Sequence, residues 1–169
     1  LALDISGSMD VSKIAGTGLS AREASAAMAL VTANVEKQTH IVGFTANVGW
    51  STAITGRSKF YGGYNGHFNV ECDSISPIDI SPRQRLDEVT AKISRMPMGG
   101  TDCALPILYA LDNKLEVDVF TIYTDNETWA GAVHPTQALR SYRQKTGIPA
   151  KLIVCAMTSG GFSICDPND

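Results

Sequence analysis

The sequence predicts an α/β fold in which a doubly wound, mostly parallel sheet is flanked by helices. Two observations lead to this prediction. Short apolar runs typical of buried strands alternate along the chain with longer segments of helical periodicity. In addition, two of the apolar runs lead into an aspartate, as expected where the strands of an open sheet end at a ligand-binding edge.

The composition is that of one globular domain, which we assign to residues 1–169. Apolar residues make up 44% of the 169 residues, enough for a sizeable core. The chain begins within a strand and lacks an initiator Met, so we expect a fragment of a larger protein. The net charge of -3 does not favour polyanions. No apolar run reaches the ~20 residues of a membrane span, and four scattered cysteines indicate reduced thiols and a cytoplasmic location.

The first strand runs from Leu1 to Leu3 and reaches Asp4. Ser20, followed three residues later by Glu23, is a capping box that predicts the start of the first long helix. Five apolar residues recur at helical spacing after it and predict the buried face of this helix. They are Ala24, Ala27, Met28, Val31 and Val35. Residues 39–44 and 48–52 predict the second and third strands.

Residues 56–81 interrupt the alternation of strands and helices, and we treat them as an insertion. Their composition changes to Gly, Tyr, Phe, Asn and Ser. Such a segment indicates a functional loop, a flexible loop or an added hairpin. Its aromatic side chains could stack on nucleic-acid bases beside Arg57, Lys59 and His67. The favoured interpretation is that these side chains pack onto the body of the domain, because stacking aromatics bind little without a basic groove.

Strands and helices alternate again in the second half. Ser81-Pro82 predicts the start of a helix whose apolar face contains Leu86, Val89, Ile93 and Met96. A second helix is expected from Asp102 to about Lys114, followed by a strand over residues 117–123. The next helix is expected after His134 and before Gly147. The continuous apolar run over residues 149–156 predicts a last parallel strand that is covered on both faces.

Hard oxygen donors lie where three of these segments end. Asp4, Ser6 and Ser8 follow the first strand, Thr101 follows a pair of glycines, and Asp125 follows the strand after residue 117. In a parallel sheet these positions meet at the carboxyl edge. Two carboxylates and three hydroxyls suit Mg²⁺, and Mn²⁺ is chemically close. Each residue by itself could instead cap a turn or a helix.

The Asp4-x-Ser6-x-Ser8 motif, with the distant Thr101 and Asp125, resembles the metal-ion-dependent adhesion site (MIDAS) of von Willebrand factor A domains, whose fold is Rossmann-like. Longer segments resemble the carboxyl-terminal A domain of Ro 60 kDa autoantigen-type (TROVE) RNA-binding proteins. These segments are Gly99–Cys103, Thr124–Thr128, Ala130–Pro135 and Ile148–Cys155. The resemblance implies that Ser6 and Ser8 bind the metal directly, and the other three residues directly or through water. It also implies a coordination position open to a carboxylate of a protein partner.

The narrower resemblance implies a ribonucleoprotein that binds small noncoding RNAs or takes part in RNA quality control, with most RNA contacts outside this chain. A noncatalytic, metal-dependent interaction domain is the expected function. The alternatives are a generic protein-binding A domain without an RNA role, a structural cap with a vestigial metal, and a Mg²⁺-dependent hydrolase. Catalysis is disfavoured because the sequence pairs His134 with no recognisable triad and places no Lys or Arg beside the metal residues.

Overall fold

The computed structural model describes residues 1–46, 58–61, 68–71, 75–96, 98–126, 133–158 and 164–165. The strands are β1 (Ala2–Asp4), β2 (Val42–Phe44), β3 (Ser58–Tyr61), β4 (Phe68–Glu71), β5 (Ile75–Pro77), β6 (Val119–Thr124) and β7 (Lys151–Ala156). The helices are α1 (Ser8–Val11), α2 (Ala21–Val35), α3 (Leu86–Ile93), α4 (Leu105–Asp112) and α5 (Pro135–Thr146).

Five strands form the main sheet in the order β5-β2-β1-β6-β7. All neighbours are parallel except β5, which runs antiparallel to β2. The chain builds outward from β1 on one side and then returns to β6 on the other side. The strand order therefore reverses between β1 and β6, which is where open α/β sheets bind ligands. The predicted fold class is confirmed.

Helices cover both faces of this sheet. Side chains alternate between the faces along each strand, so apolar residues on both faces are buried against helices. On one face, Leu3 and Tyr123 belong to a core cluster with Ala29 of α2 and Ile93 of α3. On the other face, residues of α4 and α5 pack on Phe120, whose ring meets Tyr142 edge to face with centroids 5.0 Å apart. The two apolar layers hold β1 and β6 at the centre of the fold.

Helix α2 begins at the predicted capping box, but the prediction of its buried face is wrong. Ser20 Oγ accepts a hydrogen bond from the Glu23 amide at 3.1 Å, and the Glu23 carboxylate accepts one from the Ser20 amide at 2.7 Å. Met28, Val31 and Val35, however, are 45%, 59% and 69% exposed, and Ala24 and Ala27 are half-buried. The buried residues are Ala21, Arg22, Ser25, Ala26 and Ala29. Small side chains occur on all sides of this helix, so the apolar spacing does not specify which side packs against the sheet. The helix packs closely on the sheet through a different side from the predicted one.

Two further predictions need correction. Helix α3 begins at Leu86 and not at Pro82, because Ser81 starts a turn in which the Gln84 amide donates to the Ser81 carbonyl at 2.9 Å. Strand β7 is not covered on both faces. It lies at the edge of the sheet, and Ile153 is 48% exposed. An apolar run does not distinguish an edge strand from a central one.

The predicted insertion, residues 56–81, contributes three strands. Strands β3 and β4 form a separate antiparallel pair, and β5 extends the edge of the main sheet. The strand expected at residues 48–52 lies outside the described residues, as do Arg57 and His67. The assignment of the chain to one domain remains a prediction. Within the described segments, no helix has the length and hydropathy required to cross a bilayer.

Candidate metal site

The loop after β1 folds back on the aspartate that ends the strand. The Ser6 amide donates to Asp4 Oδ1 at 2.8 Å, and the hydroxyls of Ser6 and Ser8 lie 3.1 Å apart. Asp4 and Ser6 are buried, while Ser8 is half-buried at the start of α1. Three of the predicted metal ligands are therefore gathered by the loop itself.

Strand β6 places a second carboxylate beside this loop. Leu3 pairs with Tyr123, so the next residues of both strands also lie side by side. Thr124 Oγ1 donates to Asp4 Oδ2 at 2.8 Å, and buried Asp125 follows directly. Thr158 Oγ1 in turn donates to the Asp125 carbonyl at 2.6 Å. Asp4 and Asp125 consequently lie at the adjacent ends of β1 and β6, across the point where the strand order reverses.

The Thr101 segment is attached to the end of β2. Ala46 and Gly100 exchange two backbone hydrogen bonds of 2.6 and 2.7 Å, and the buried Thr45 hydroxyl donates to the Gly100 carbonyl at 2.8 Å. Thr101 itself is 1% exposed. Since β2 lies next to β1, this attachment brings Thr101 to the same edge of the sheet as Asp4.

The charges of this edge suit a divalent cation. Burial raises the pKa of the Asp4 carboxyl, hydrogen bonds from Ser6 and Thr124 oppose that rise, and the charge of Asp125 adds to it. A hard cation would offset both the desolvation of Asp4 and its repulsion from Asp125. The described residues contain no cluster of three His, Cys, Asp or Glu side chains suited to a metal. With two carboxylates in the proposed set, the hydroxyls of Ser6, Ser8 and Thr101 would supply the remaining oxygen donors.

Two buried threonines at this edge escaped the sequence analysis. Thr124 and Thr45 are both 0% exposed and hold Asp4 and Gly100, respectively. Thr45 directly follows β2, and Thr124 is the last residue of β6. A polar residue at the end of an apolar strand was the signal in the sequence that could have identified them. His134, considered above for catalysis, is the N-cap of α5, where its Nδ1 accepts from the Thr136 amide at 3.4 Å.

Asp102 is a third buried carboxylate of this region, and its side chain accepts a hydrogen bond from the Ala104 amide at 2.9 Å. Burial raises its pKa to about 6. A carboxyl whose pKa is higher in the folded state stabilises the fold below its unfolded pKa, and this contribution is lost as the pH rises through the folded pKa. At pH 7.5 the ionised Asp102 therefore destabilises the metal-free domain.

We expect Asp102→Asn to stabilise the metal-free domain at pH 7.5 by roughly 2 kcal/mol, because the amide oxygen can still accept from Ala104 without a buried charge. The gain should shrink towards zero below about pH 4, where the wild-type carboxyl is protonated in both states. Urea unfolding in EDTA at pH 7.5 and below about pH 4 measures this gain in the free energy of unfolding. Asp79→Asn, at an exposed carboxylate, is the control and should show little change. A pH-independent gain for Asp102→Asn would contradict the burial of its charge.

The parallel sheet, the helices on both faces and the oxygen donors at the reversal of strand order define the fold as that of a von Willebrand factor A-like domain. Residues 1–61 and 64–169 match the family model described as the Ro60 vWA domain. The chain belongs to this family.

Two relatives and one solved structure illustrate this similarity. The chain is 42% identical over 169 residues to the RNA-binding protein RO60 of Deinococcus radiodurans, and 36% identical over 170 residues to the RNA-binding protein RO60 of Caenorhabditis elegans. It also resembles the crystal structure of the Deinococcus radiodurans RO (RSR) protein, with a TM-score of 0.76 and 40% identity. The matches cover 99%, 100% and 99% of this chain, but 27%, 22% and 29% of the relatives.

Proposed function

We propose that this chain is a noncatalytic, divalent-metal-binding interaction domain of a Ro-type ribonucleoprotein. Asp4, Ser6, Ser8, Thr101 and Asp125 would bind one Mg²⁺ or Mn²⁺ at the carboxyl edge of the sheet. The observation that supports this most directly is the convergence of the loop after β1, the end of β6 and the segment attached to β2. A capping role for each residue alone would not require them to share one edge.

The metal would keep a position open for a partner. Two carboxylates and three neutral hydroxyls leave a divalent cation incompletely satisfied, unlike a closed cage of protein oxygens. Ser8 is the half-buried member of a set whose other members are buried, so the accessible side of the site lies by the start of α1. A carboxylate of a protein ligand is the group we expect at that position.

A noncatalytic role is supported by the position of His134. Hydrolysis at a metal needs a positioned base or a group that clamps the leaving oxygen. His134, the candidate base of the second half of the chain, instead caps α5 through Thr136. The relatives are named RNA-binding proteins. A Mg²⁺-dependent hydrolase therefore ranks below an interaction domain.

The ribonucleoprotein role rests on the family. Both RO60 relatives carry an RNA-binding name, and this chain spans about a quarter of their length. We propose that small noncoding RNA is bound mainly by parts of the parent protein outside this chain, in the cytoplasm, where the cysteines would remain reduced. A generic A domain without an RNA role is the alternative, and it is less consistent with the match to the Ro60 vWA model.

The proposal is tested by Mn²⁺ bound to the purified chain. The relaxation rate of water protons should rise on binding, because at least one coordination position exchanges with solvent, and an acidic peptide should lower the rate as its carboxylate replaces water. A peptide with glutamine in place of glutamate is the control and should have no effect. Bound Mn²⁺ without relaxation enhancement would show a closed site, and absence of Mn²⁺ binding would contradict the proposal.

We expect the isolated chain to bind RNA weakly. Phosphate contacts by clustered Lys and Arg dominate nucleic-acid affinity, whereas this chain has 14 basic and 17 acidic side chains. Gel-shift titration with a structured small RNA at physiological salt should give a Kd no tighter than the nonspecific range of about 10⁻⁴ to 10⁻⁶ M. Submicromolar binding would instead assign RNA recognition to this chain, with the residue 57–68 segment as the first region to mutate.

A further inference from the structure

A buried arginine lies directly behind the loop after β1, so the expectation that no Lys or Arg lies beside the metal residues is wrong. Arg22 is 0% exposed, although Arg is seldom fully buried in proteins. Its Nη2 donates to the Ser6 carbonyl at 3.2 Å, and its Nε lies 2.7 Å from Asp10 Oδ1. The contact with Asp10 is an ion pair rather than an aligned hydrogen bond, and Nη1 has no hydrogen-bond partner among the described residues.

This position is unfavourable for a cation in two ways. Arg22 is the second residue of α2, and the amino terminus of a helix carries a partial positive charge that favours anions over cations. Burial of a guanidinium also costs free energy, which a single half-exposed carboxylate repays only in part. Well-packed apolar residues in place of a buried ion pair are often neutral or stabilising. The burial of Arg22 is therefore weak evidence for a role in stability alone.

The contacts of Ser6 suggest another role for Arg22. The Ser6 amide donates to Asp4 Oδ1 at 2.8 Å, and the Ser6 carbonyl accepts from Arg22. The same carbonyl accepts from the Met9 amide at 3.3 Å, at the start of α1. Both polar groups of the Ser6 backbone are thus held, one by a proposed metal ligand and one by Arg22. Asp10 of α1 ties the other end of the loop to the same guanidinium.

We propose that Arg22 is a positioning residue for the metal loop. Its guanidinium holds the Ser6 carbonyl and the Asp10 carboxylate at the same time, so that the hydroxyls of Ser6 and Ser8 stay 3.1 Å apart and face the metal. The fork of the guanidinium is required because two acceptors must be reached from one rigid group. This inference rests on the proposed metal site, and it adds a residue of α2 that binds no metal itself.

The test compares metal affinity with metal-free stability. Arg22→Met should weaken Mn²⁺ binding, measured by EPR titration, by about tenfold or more. The melting temperature in EDTA should stay within about 5 °C of wild type. The Asp10 carboxylate left behind is half-exposed, so water can solvate it and no buried charge remains unpaired. Arg22→Lys should be intermediate, since a single ammonium reaches one acceptor well but not both. Lys37→Met, at an exposed residue beyond the end of α2, controls for the loss of one positive charge.

The outcomes separate this inference from the proposed function. Absence of Mn²⁺ binding by wild type would overturn the metal site and the role of Arg22 with it. Wild-type affinity in Arg22→Met would overturn the role of Arg22 alone. A loss of melting temperature with unchanged affinity would assign Arg22 to the stability of the fold. If Arg22→Met does not fold, Arg22→Lys decides, because wild-type affinity in that variant contradicts the need for a fork.

Discussion

Asp4→Asn is expected to weaken metal binding strongly while leaving the metal-free domain at least as stable as wild type. Asparagine keeps the size of the side chain and an oxygen that accepts from the Ser6 amide, so the hydrogen bond at 2.8 Å can persist. What is lost is one of the two carboxylates that would hold the cation. A charge a few ångström from a cation is worth several kcal/mol at the effective dielectric of a protein site, so affinity should fall by about 100-fold or more.

The stability of the metal-free protein should move in the opposite direction. Burial raises the pKa of Asp4, so its contribution to stability is full below the unfolded pKa and is lost as the pH rises through the folded pKa. Above that folded pKa the ionised Asp4 is therefore a cost to the metal-free fold, and Asp4→Asn removes it. Titration calorimetry with Mg²⁺ and melting curves in EDTA measure the two effects separately.

Asp118→Asn is the matched control for Asp4→Asn. Asp118 is exposed and lies just before β6, at the opposite edge of the sheet, so its replacement should leave both measurements unchanged. Equal Mg²⁺ affinity in wild type and Asp4→Asn would remove Asp4 from the site. A large loss of metal-free stability in Asp4→Asn would mean that the carboxylate serves the fold rather than a metal.

Gly99→Ala should damage both the fold and the site. A Cβ atom at residue 99 would lie 2.3 Å from the Ala46 carbonyl oxygen and 2.9 Å from Thr45 Oγ1. The closer of these neighbours is backbone and cannot rotate away. The Ala46–Gly100 pair, with hydrogen bonds of 2.6 and 2.7 Å, would have to separate. We expect a loss of about 1 to 3 kcal/mol in the free energy of unfolding, as for other overpacked sites.

In Gly99→Ala the metal affinity should fall together with the stability. The reason is that the two hydrogen bonds between Ala46 and Gly100 also hold Thr101 at the edge of the sheet. Urea unfolding and Mn²⁺ titration at low temperature, where the variant is still folded, measure the two losses. Gly18→Ala is the control, since a Cβ at residue 18 meets no atom within 4 Å, and it should change stability by less than about 0.5 kcal/mol. Equal behaviour of the two variants would contradict the tight approach of residue 99 to Ala46.

Local sequence signals predicted the ends of several elements correctly. The Ser20–Glu23 box starts α2, and Gly147, with a φ of 74°, ends α5 where a left-handed residue is required. Pro106 lies in the first turn of α4, the position that tolerates a missing amide hydrogen. Ser81-Pro82 gave the wrong start for α3, because a serine followed by proline also begins a turn.

Outside α1 and residues 56–81, the sequence by itself determined the kinds of element and their order, and it supplied the residues available for a metal site. Strand ends, caps and hydroxyl spacing depend on neighbours within a few residues, so they can be recognised without the fold. Only the tertiary structure decided that α2 buries Arg22 and Ala26 while Met28 and Val31 face outward. It also decided that Thr45 holds Gly100 and that Thr124 holds Asp4. These contacts join residues 55 and 120 positions apart, and they form only because the packed sheet brings separate strand ends to one edge.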